Sequence, residues 1–84
     1  MYEVSFHSSA ARELERLDPA IRRRVARAVD GLAEDPRGGG AIKLRGTDDL
    51  WRLRVGDYRV VFQIRDAVLL VLVIRVRHRR EAYR

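Results

Sequence analysis

The spacing of apolar residues in the first part of the chain changes from every second residue to every third or fourth. Residues 2–6 alternate between apolar and polar side chains, which predicts a first strand. Ser8 or Ser9 can cap a following helix. The apolar face of this helix comprises Ala10, Leu14 and Leu17. The pattern therefore predicts a strand followed directly by a helix.

A second helix is predicted by the dipeptide Asp18-Pro19, in which Asp18 is the N-cap and Pro19 is the first helical residue. The helix is expected to end at Asp35-Pro36, and the glycines at 38–40 predict a flexible connection. Its apolar stripe comprises Ile21, Val25, Ala28, Val29 and Leu32. The two helices are thus predicted to form a hairpin with one apolar side.

The second half of the chain has the period of strands. The segment from Leu50 to Ile64 alternates around Gly56-Asp57, which predicts a β-hairpin with a two-residue turn. In that register Arg54 lies opposite Arg59. The arginines expected on the face opposite the core are Arg52, Arg54 and Arg59. Trp51 has the spacing of a core residue.

A last strand is predicted over residues 68–76, after a turn at Arg65-Asp66. With a three-residue loop, the core residues of this strand are Leu70, Leu72 and Ile74. That register turns Arg75 and Arg77 toward the other arginines. A two-residue loop would bury Arg75, which is costly for an unpaired charge, so we expect the three-residue loop.

The predicted order of elements is a strand, two helices and three antiparallel strands. One face of the sheet can take the helical hairpin, which gives a two-layer α+β fold. The 84 residues suffice for one domain, so we expect a single domain over residues 1–84. The other face of the sheet is left open and cationic.

Positive charge is concentrated in the second half of the chain, whose net charge is +6. Residues 1–42 hold seven arginines and seven acids, whereas residues 43–84 hold one lysine and ten arginines against five acids. This asymmetry indicates a surface that binds a polyanion. Nucleic acid is the first candidate for this ligand, and an acidic protein is the second. The alternative is a solvated arginine face in a chain that uses arginine in place of lysine.

The composition argues against several kinds of site. The chain has no cysteine, so it forms neither a disulfide nor a thiolate site, and its two histidines lie far apart. The apolar run 67–74 is too short to span a bilayer, and the first strand leaves no room for a signal peptide. We therefore expect a soluble, cytoplasmic protein that uses no cofactor and no metal.

The segment 78–84 gathers groups that can act on a phosphodiester. His78 is the residue of the basic half that can exchange a proton near neutral pH, which suits an acid or base in RNA cleavage by the 2′-hydroxyl. Tyr83 can stack on a base or orient a hydroxyl. The alternatives are a surface histidine without a role and a tyrosine that packs at the terminus. His7 is expected to be structural.

Arginine stays protonated, so it can bind and stabilise negative charge but cannot act as a base. Charge stabilisation is therefore assigned to Arg52, Arg54, Arg59 and Arg79. Binding of RNA is assigned to five other basic residues of this half, namely Lys43, Arg45, Arg75, Arg77 and Arg80.

Three segments resemble RelE-type toxins of the RelE/ParE superfamily: KLRG at 43–46, LWRLRVGDYRVVF at 50–62 and VRHRREAY at 76–83. The resemblance implies a bacterial or archaeal type II toxin that cleaves mRNA in the ribosomal A site. It also implies a cognate antitoxin partner, in a complex that forms a higher oligomer. The working residues that it implies are Arg52, Arg54, Arg59, Arg79 and Tyr83. Well-known members carry lysines on the second strand where this chain has arginines, so its base can differ.

Two other functions fit the same fold or the same charge. ParE-type members of the superfamily poison DNA gyrase and cleave no RNA, so that the basic tail would bind protein. A passive RNA-binding module would need no histidine. The combination of His78 and Tyr83 with the strand arginines favours the nuclease.

Overall fold

The chain folds into an α+β structure on a five-stranded sheet, so the predicted class is confirmed. The computed structural model describes residues 1–47 and 49–82. The elements are β1 (Glu3–Phe6), α1 (Ser8–Glu15), α2 (Pro19–Glu34), β2 (Ile42–Lys43), β3 (Leu50–Val55), β4 (Tyr58–Arg65), β5 (Leu70–His78) and α3 (Arg79–Ala82). The sequence analysis missed three short elements, namely β2, α3 and a 3-10 helix over Asp66–Val68.

The strands have the order β1-β5-β4-β3-β2. β1 runs parallel to β5, and the other neighbouring strands are antiparallel. The first strand therefore lies beside the last, and β4 is the central strand of the sheet. Within residues 1–47 and 49–82, no helix is long and apolar enough to cross a membrane.

One face of the sheet packs against α2 and holds the core. The stripe predicted for this helix is confirmed, since Val25, Val29 and Leu32 are buried. Each such side chain contributes about 1.5–3 kcal/mol of burial free energy. The buried residues of the sheet are Leu53, Val60, Phe62, Ile64, Val71, Val73 and Val76.

The helix starts follow local signals. Pro19 is the first residue of α2 and Asp18 is its N-cap, as predicted. The N-cap of α1 is His7 rather than a serine, because Nδ1 of His7 accepts the backbone N–H of Ser9 at 3.2 Å. This hydrogen bond gives His7 a structural role, which agrees with the expectation.

The hairpin between β3 and β4 has the predicted register, with Arg54 opposite Arg59. Gly56 at its turn has a φ of +59°, which lies in the left-handed region that favours glycine. Leu53 and Val60 face the core. The neighbouring arginines of both strands therefore point to the face away from α2.

The prediction for the core residues of the last strand is wrong. It named Leu70, Leu72 and Ile74. Arg65 pairs with Leu70 across a loop of four residues rather than three. Leu69 closes this loop with a φ of 51°, a conformation that leucine rarely adopts. The longer loop reverses the alternation, so Val71 and Val73 are the buried residues of β5.

A β-bulge within β5 nevertheless gives the arginines their predicted orientation. The pairing of β4 with β5 skips Ile74, which is the extra residue of the bulge. The alternation shifts by one residue at this point. Val76 is therefore buried, while Arg75 and Arg77 turn away from the core, where an unpaired guanidinium would be costly.

Candidate functional site

Arginines from three neighbouring strands form a row across the open face of the sheet. Arg59 on β4 lies opposite Arg54 on β3 and opposite Arg77 on β5. A second row beside it contains Arg52 on β3 and Arg75 on β5. We call these five residues the arginine face.

Like charges that lie directly opposite each other destabilise a sheet, by about 0.2–1 kcal/mol per pair. The row through Arg59 contains two such pairs, one to Arg54 and one to Arg77. A phosphate bound across the row replaces this repulsion with charge-assisted hydrogen bonds. The geometry therefore favours a polyanionic ligand.

Glu13 of α1 lies at the border of the arginine face and balances part of its charge. Its carboxylate accepts a hydrogen bond from Nε of Arg77 at 2.9 Å and lies 3.7 Å from Nη1 of Arg75. The other carboxylate oxygen accepts the backbone N–H of Val76 at 3.0 Å. Sequence analysis missed this residue, although an acid three positions after Ala10, on the apolar side of α1, could have indicated it.

The hairpin turn brings a further basic segment to one end of the arginine face. Nε of Arg54 donates to the carbonyl oxygen of Gly56 at 3.0 Å. The backbone N–H of Arg79 donates to the carbonyl oxygen of Asp57 at 2.8 Å, so α3 begins beside the turn. Arg79 and the next residue, Arg80, are exposed there.

His78 does not share the arginine face. It pairs with Tyr58, and the two rings meet edge-on with their centroids 5.3 Å apart. Residues that pair directly in a sheet point to the same face. His78 therefore points to the helix-covered face, where it lines a pocket of about 270 Å³ together with Glu13. The structure separates His78 from Arg59.

The other predicted residues are dispersed. Lys43 on the edge strand β2 pairs with Trp51, which packs against the core as expected. Arg45 is exposed in the turn between β2 and β3. Tyr83 lies outside the described residues, so its predicted role stays a prediction from the sequence.

A separate cluster joins the start of the chain to the loop before β5. Arg37 donates to the two carboxylate oxygens of Asp66 at 3.1 and 2.7 Å, and the Tyr2 hydroxyl also donates to this carboxylate. The Arg37 guanidinium, followed by Tyr2, holds the pKa of Asp66 below its ordinary value. The cluster lies at the end of β4 remote from the hairpin turn, so we assign it a structural role.

The described part of the chain contains no group of three or more His, Asp or Glu side chains that could hold a metal ion. The chemistry that the arginine face offers is binding of an anion and stabilisation of negative charge by guanidinium groups.

Comparisons with known proteins identify the family. A family model described as the ParE toxin of a type II toxin–antitoxin system, parDE, matches residues 4–83. The chain belongs to the RelE/ParE superfamily of type II toxins. The mRNA interferase toxin RelE of Escherichia coli strain K12 is 35% identical over 86 residues, which cover 98% of this chain and 90% of that protein.

Two further relatives place the chain on the RelE side of the superfamily. Toxin RelG of Mycobacterium tuberculosis is 33% identical over 84 residues, which cover 99% of this chain and 97% of that protein. The crystal structure of the archaeal RelE–RelB complex from Pyrococcus horikoshii OT3 superimposes with a TM-score of 0.82 at 31% identity. It covers 93% of this chain and 94% of that chain. The resemblance to RelE-type toxins is thus confirmed.

Proposed function

We propose that this RelE-type toxin is an endoribonuclease that cleaves mRNA on the ribosome and so inhibits translation. The observation that carries the proposal is the row of Arg54, Arg59 and Arg77 across the open face of the sheet. Neighbouring strands lie about 4.8 Å apart. The row can therefore present donors to more than one oxygen of a single phosphodiester group.

In the proposed reaction, the 2′-oxygen of one nucleotide attacks the adjacent phosphorus atom. The new bond closes a 2′,3′-cyclic phosphate, and the bond to the 5′-oxygen of the next nucleotide breaks. A base takes the proton of the 2′-hydroxyl, and an acid gives a proton to the leaving oxygen. Guanidinium groups stabilise the negative charge that develops on the non-bridging oxygens, so the proposed reaction requires no metal.

Proton transfer is the step that arginine does not perform, because its guanidinium group stays protonated in proteins. His78 is the candidate from the sequence, but its ring packs against Tyr58 on the other face of the sheet. We infer that His78 supports the end of β5 from this position. Tyr83 then stays as the candidate predicted to orient the reacting hydroxyl.

We also propose that a cognate antitoxin neutralises the toxin, in a complex that forms a higher oligomer. The Pyrococcus horikoshii relative was crystallised as a RelE–RelB complex. In the present chain, an open face with five arginines calls for an acidic or amphipathic segment that covers it. Purification of the toxin with the other product of its native operon tests this proposal, and failure to recover a tight protein partner would contradict it.

The nuclease is tested by induction of the protein in cells and mapping of mRNA 5′ ends. New 5′ ends inside coding regions are expected for the wild type. On ribosomes programmed with a defined mRNA, a 2′-deoxy nucleotide on the 5′ side of the cleaved bond should block cleavage. Cutting of the deoxy substrate would contradict attack by the 2′-hydroxyl.

The second candidate function is inhibition of DNA gyrase, which is favoured by the match of residues 4–83 to the ParE family model. A supercoiling assay with the same protein preparation separates the two. Loss of gyrase supercoiling without new mRNA 5′ ends would support the gyrase inhibitor and reject the nuclease.

A further inference from the structure

A groove of about 460 Å³ lies between α2 and the β3–β4 hairpin, beyond the arginine face. Arg24 and Arg27 line it from α2, and Arg54 and Gly56 line it from the hairpin. The two helix residues are three positions apart, so they project from the same side of α2. Three arginines from two elements thus border one groove.

Two of these arginines converge on the hairpin turn. Nε of Arg54 donates to the carbonyl oxygen of Gly56 at 3.0 Å. A Cβ atom added to Gly56 would lie 3.3 Å from Nη2 of Arg24, so the guanidinium of Arg24 rests directly beside this glycine. Two cationic groups from different elements are therefore held at the same turn.

The groove carries an excess of positive charge. Within residues 1–47 and 49–82, Arg24, Arg27 and Arg54 take no part in the ion pairs, which join Arg37 to Asp66 and two arginines of β5 to Glu13. The acid among the lining residues is Asp35, whose Oδ1 accepts the backbone N–H of Arg37 at 3.3 Å. The residues that line the groove thus include three arginines and one acid.

We propose that this groove binds a backbone phosphate of RNA, as a second subsite beside the arginine face. The proposal rests on the proposed nuclease function. Arg54 belongs both to the row on the open face and to the lining of the groove, so one strand of RNA can pass from the first site to the second at the hairpin. Guanidinium forks bind phosphate and carboxylate alike, and it is the shared residue Arg54, which continues the arginine face into the groove, that favours RNA over an acidic peptide.

The subsite contributes to affinity and leaves the chemical step unchanged, because its two helix arginines lie outside the row that holds the scissile phosphate. The phosphate can come from an mRNA nucleotide next to the cleavage site or from the RNA of the ribosome. The chemistry is the same for both sources, so the experiment has one arm for each.

The test compares wild type with the double variant Arg24→Ala/Arg27→Ala and the matched control Arg12→Ala/Arg23→Ala. The control removes the same charge from exposed helix residues that do not line the groove. The probes are a single-stranded 2′-O-methyl RNA, which resists 2′-hydroxyl attack, and ribosomes programmed with mRNA. Binding is measured over a series of salt concentrations, and circular dichroism verifies that each variant is folded.

The groove variant is expected to bind at least about tenfold more weakly, because each charge-assisted hydrogen bond that it loses contributes about this factor. Its slope of log affinity against log salt should fall by about 0.7 for each phosphate that the variant no longer neutralises. Selective weakening with the free RNA assigns the phosphate to mRNA, and selective weakening with ribosomes alone assigns it to ribosomal RNA. Single-turnover cleavage at saturating protein should stay at the wild-type rate.

Equal weakening in the groove and control variants, or unchanged binding in both arms, would overturn the proposal. Reduced binding of poly-glutamate with unchanged RNA binding would also overturn it, in favour of an acidic protein segment. Failure of the nuclease itself is recognised separately, because wild-type protein would then leave programmed mRNA uncut whatever the binding results are.

Discussion

The carboxylate of Glu13 on α1 accepts a hydrogen bond from the guanidinium of Arg77 on β5 at 2.9 Å. The same carboxylate binds the backbone N–H of Val76, beyond the last pairing of β1 with β5 at Val73. One side chain therefore covers a strand edge, which would otherwise expose an unpaired donor, and also orients an arginine of the proposed active face.

Replacement of Glu13 by Ala is expected to lower the free energy of unfolding by about 1–3 kcal/mol, because the N–H of Val76 loses its acceptor. The Glu13 side chain is 20% exposed, so water replaces the carboxylate poorly. Glu13→Gln keeps an acceptor and should cost less. Urea-induced unfolding measures both, with Glu15→Ala on the same helix as the control. An equal decrease in the Glu15 variant would contradict the assigned hydrogen bond.

Arg59→Ala is expected to slow single-turnover cleavage by roughly 10²–10³-fold, the usual effect of removing one preorganised donor. Arg59 is the central residue of the row, between Arg54 and Arg77. Arg59 takes part in two repulsive pairs, so its removal should not destabilise the sheet. The variant should therefore still unfold cooperatively. Arg65→Ala, at the far end of the same strand, is the control. Full toxicity of a folded Arg59→Ala protein would reject the arginine face as the active site.

His78→Phe separates packing from proton transfer. The phenyl ring preserves an aromatic contact with Tyr58 but cannot carry a proton. Because His78 points away from Arg59, the decrease in cleavage rate should stay well below the roughly 10²-fold that a positioned acid or base contributes. His78→Ala should cost about 0.5–1.5 kcal/mol of stability, since the ring pair with Tyr58 is removed. A decrease of roughly 10²-fold or more in the Phe variant would restore His78 as the acid or base.

The ion pair of Asp66 makes the stability of the fold depend on pH in the acid range. Its pKa is lowered in the folded state, chiefly by the hydrogen bonds from Arg37. Such a group stabilises the fold above its unfolded pKa, and this contribution is lost as the pH falls through the lowered folded pKa. Asp66→Asn should therefore flatten the change in unfolding free energy below about pH 4. Urea unfolding at a series of pH values measures this pH dependence, with Asp30→Asn on α2 as the control. Parallel curves of unfolding free energy against pH for wild type and Asp66→Asn would contradict the prediction.

The sequence by itself determined the elements whose signals are local. Asp18-Pro19 and the apolar stripe through Val25 specify α2, because capping and helical period depend on neighbouring residues. The two-residue turn at Gly56-Asp57 sets Arg54 opposite Arg59. A turn of fixed length allows one pairing register, and in a strand the register decides which side chains lie opposite each other. The class of fold and most of the arginine face could therefore be predicted.

The tertiary structure alone decided which faces the apolar residues 70–74 of β5 occupy. The run from Ala67 to Ile74 is apolar throughout, so the sequence shows no alternation from which a face could be read. The face depends on the left-handed conformation of Leu69 and on the bulge at Ile74, two features of the way β5 pairs with β4. The two shifts cancel beyond the bulge, so Arg75 and Arg77 keep the predicted face and His78 lies on the opposite face beside Tyr58.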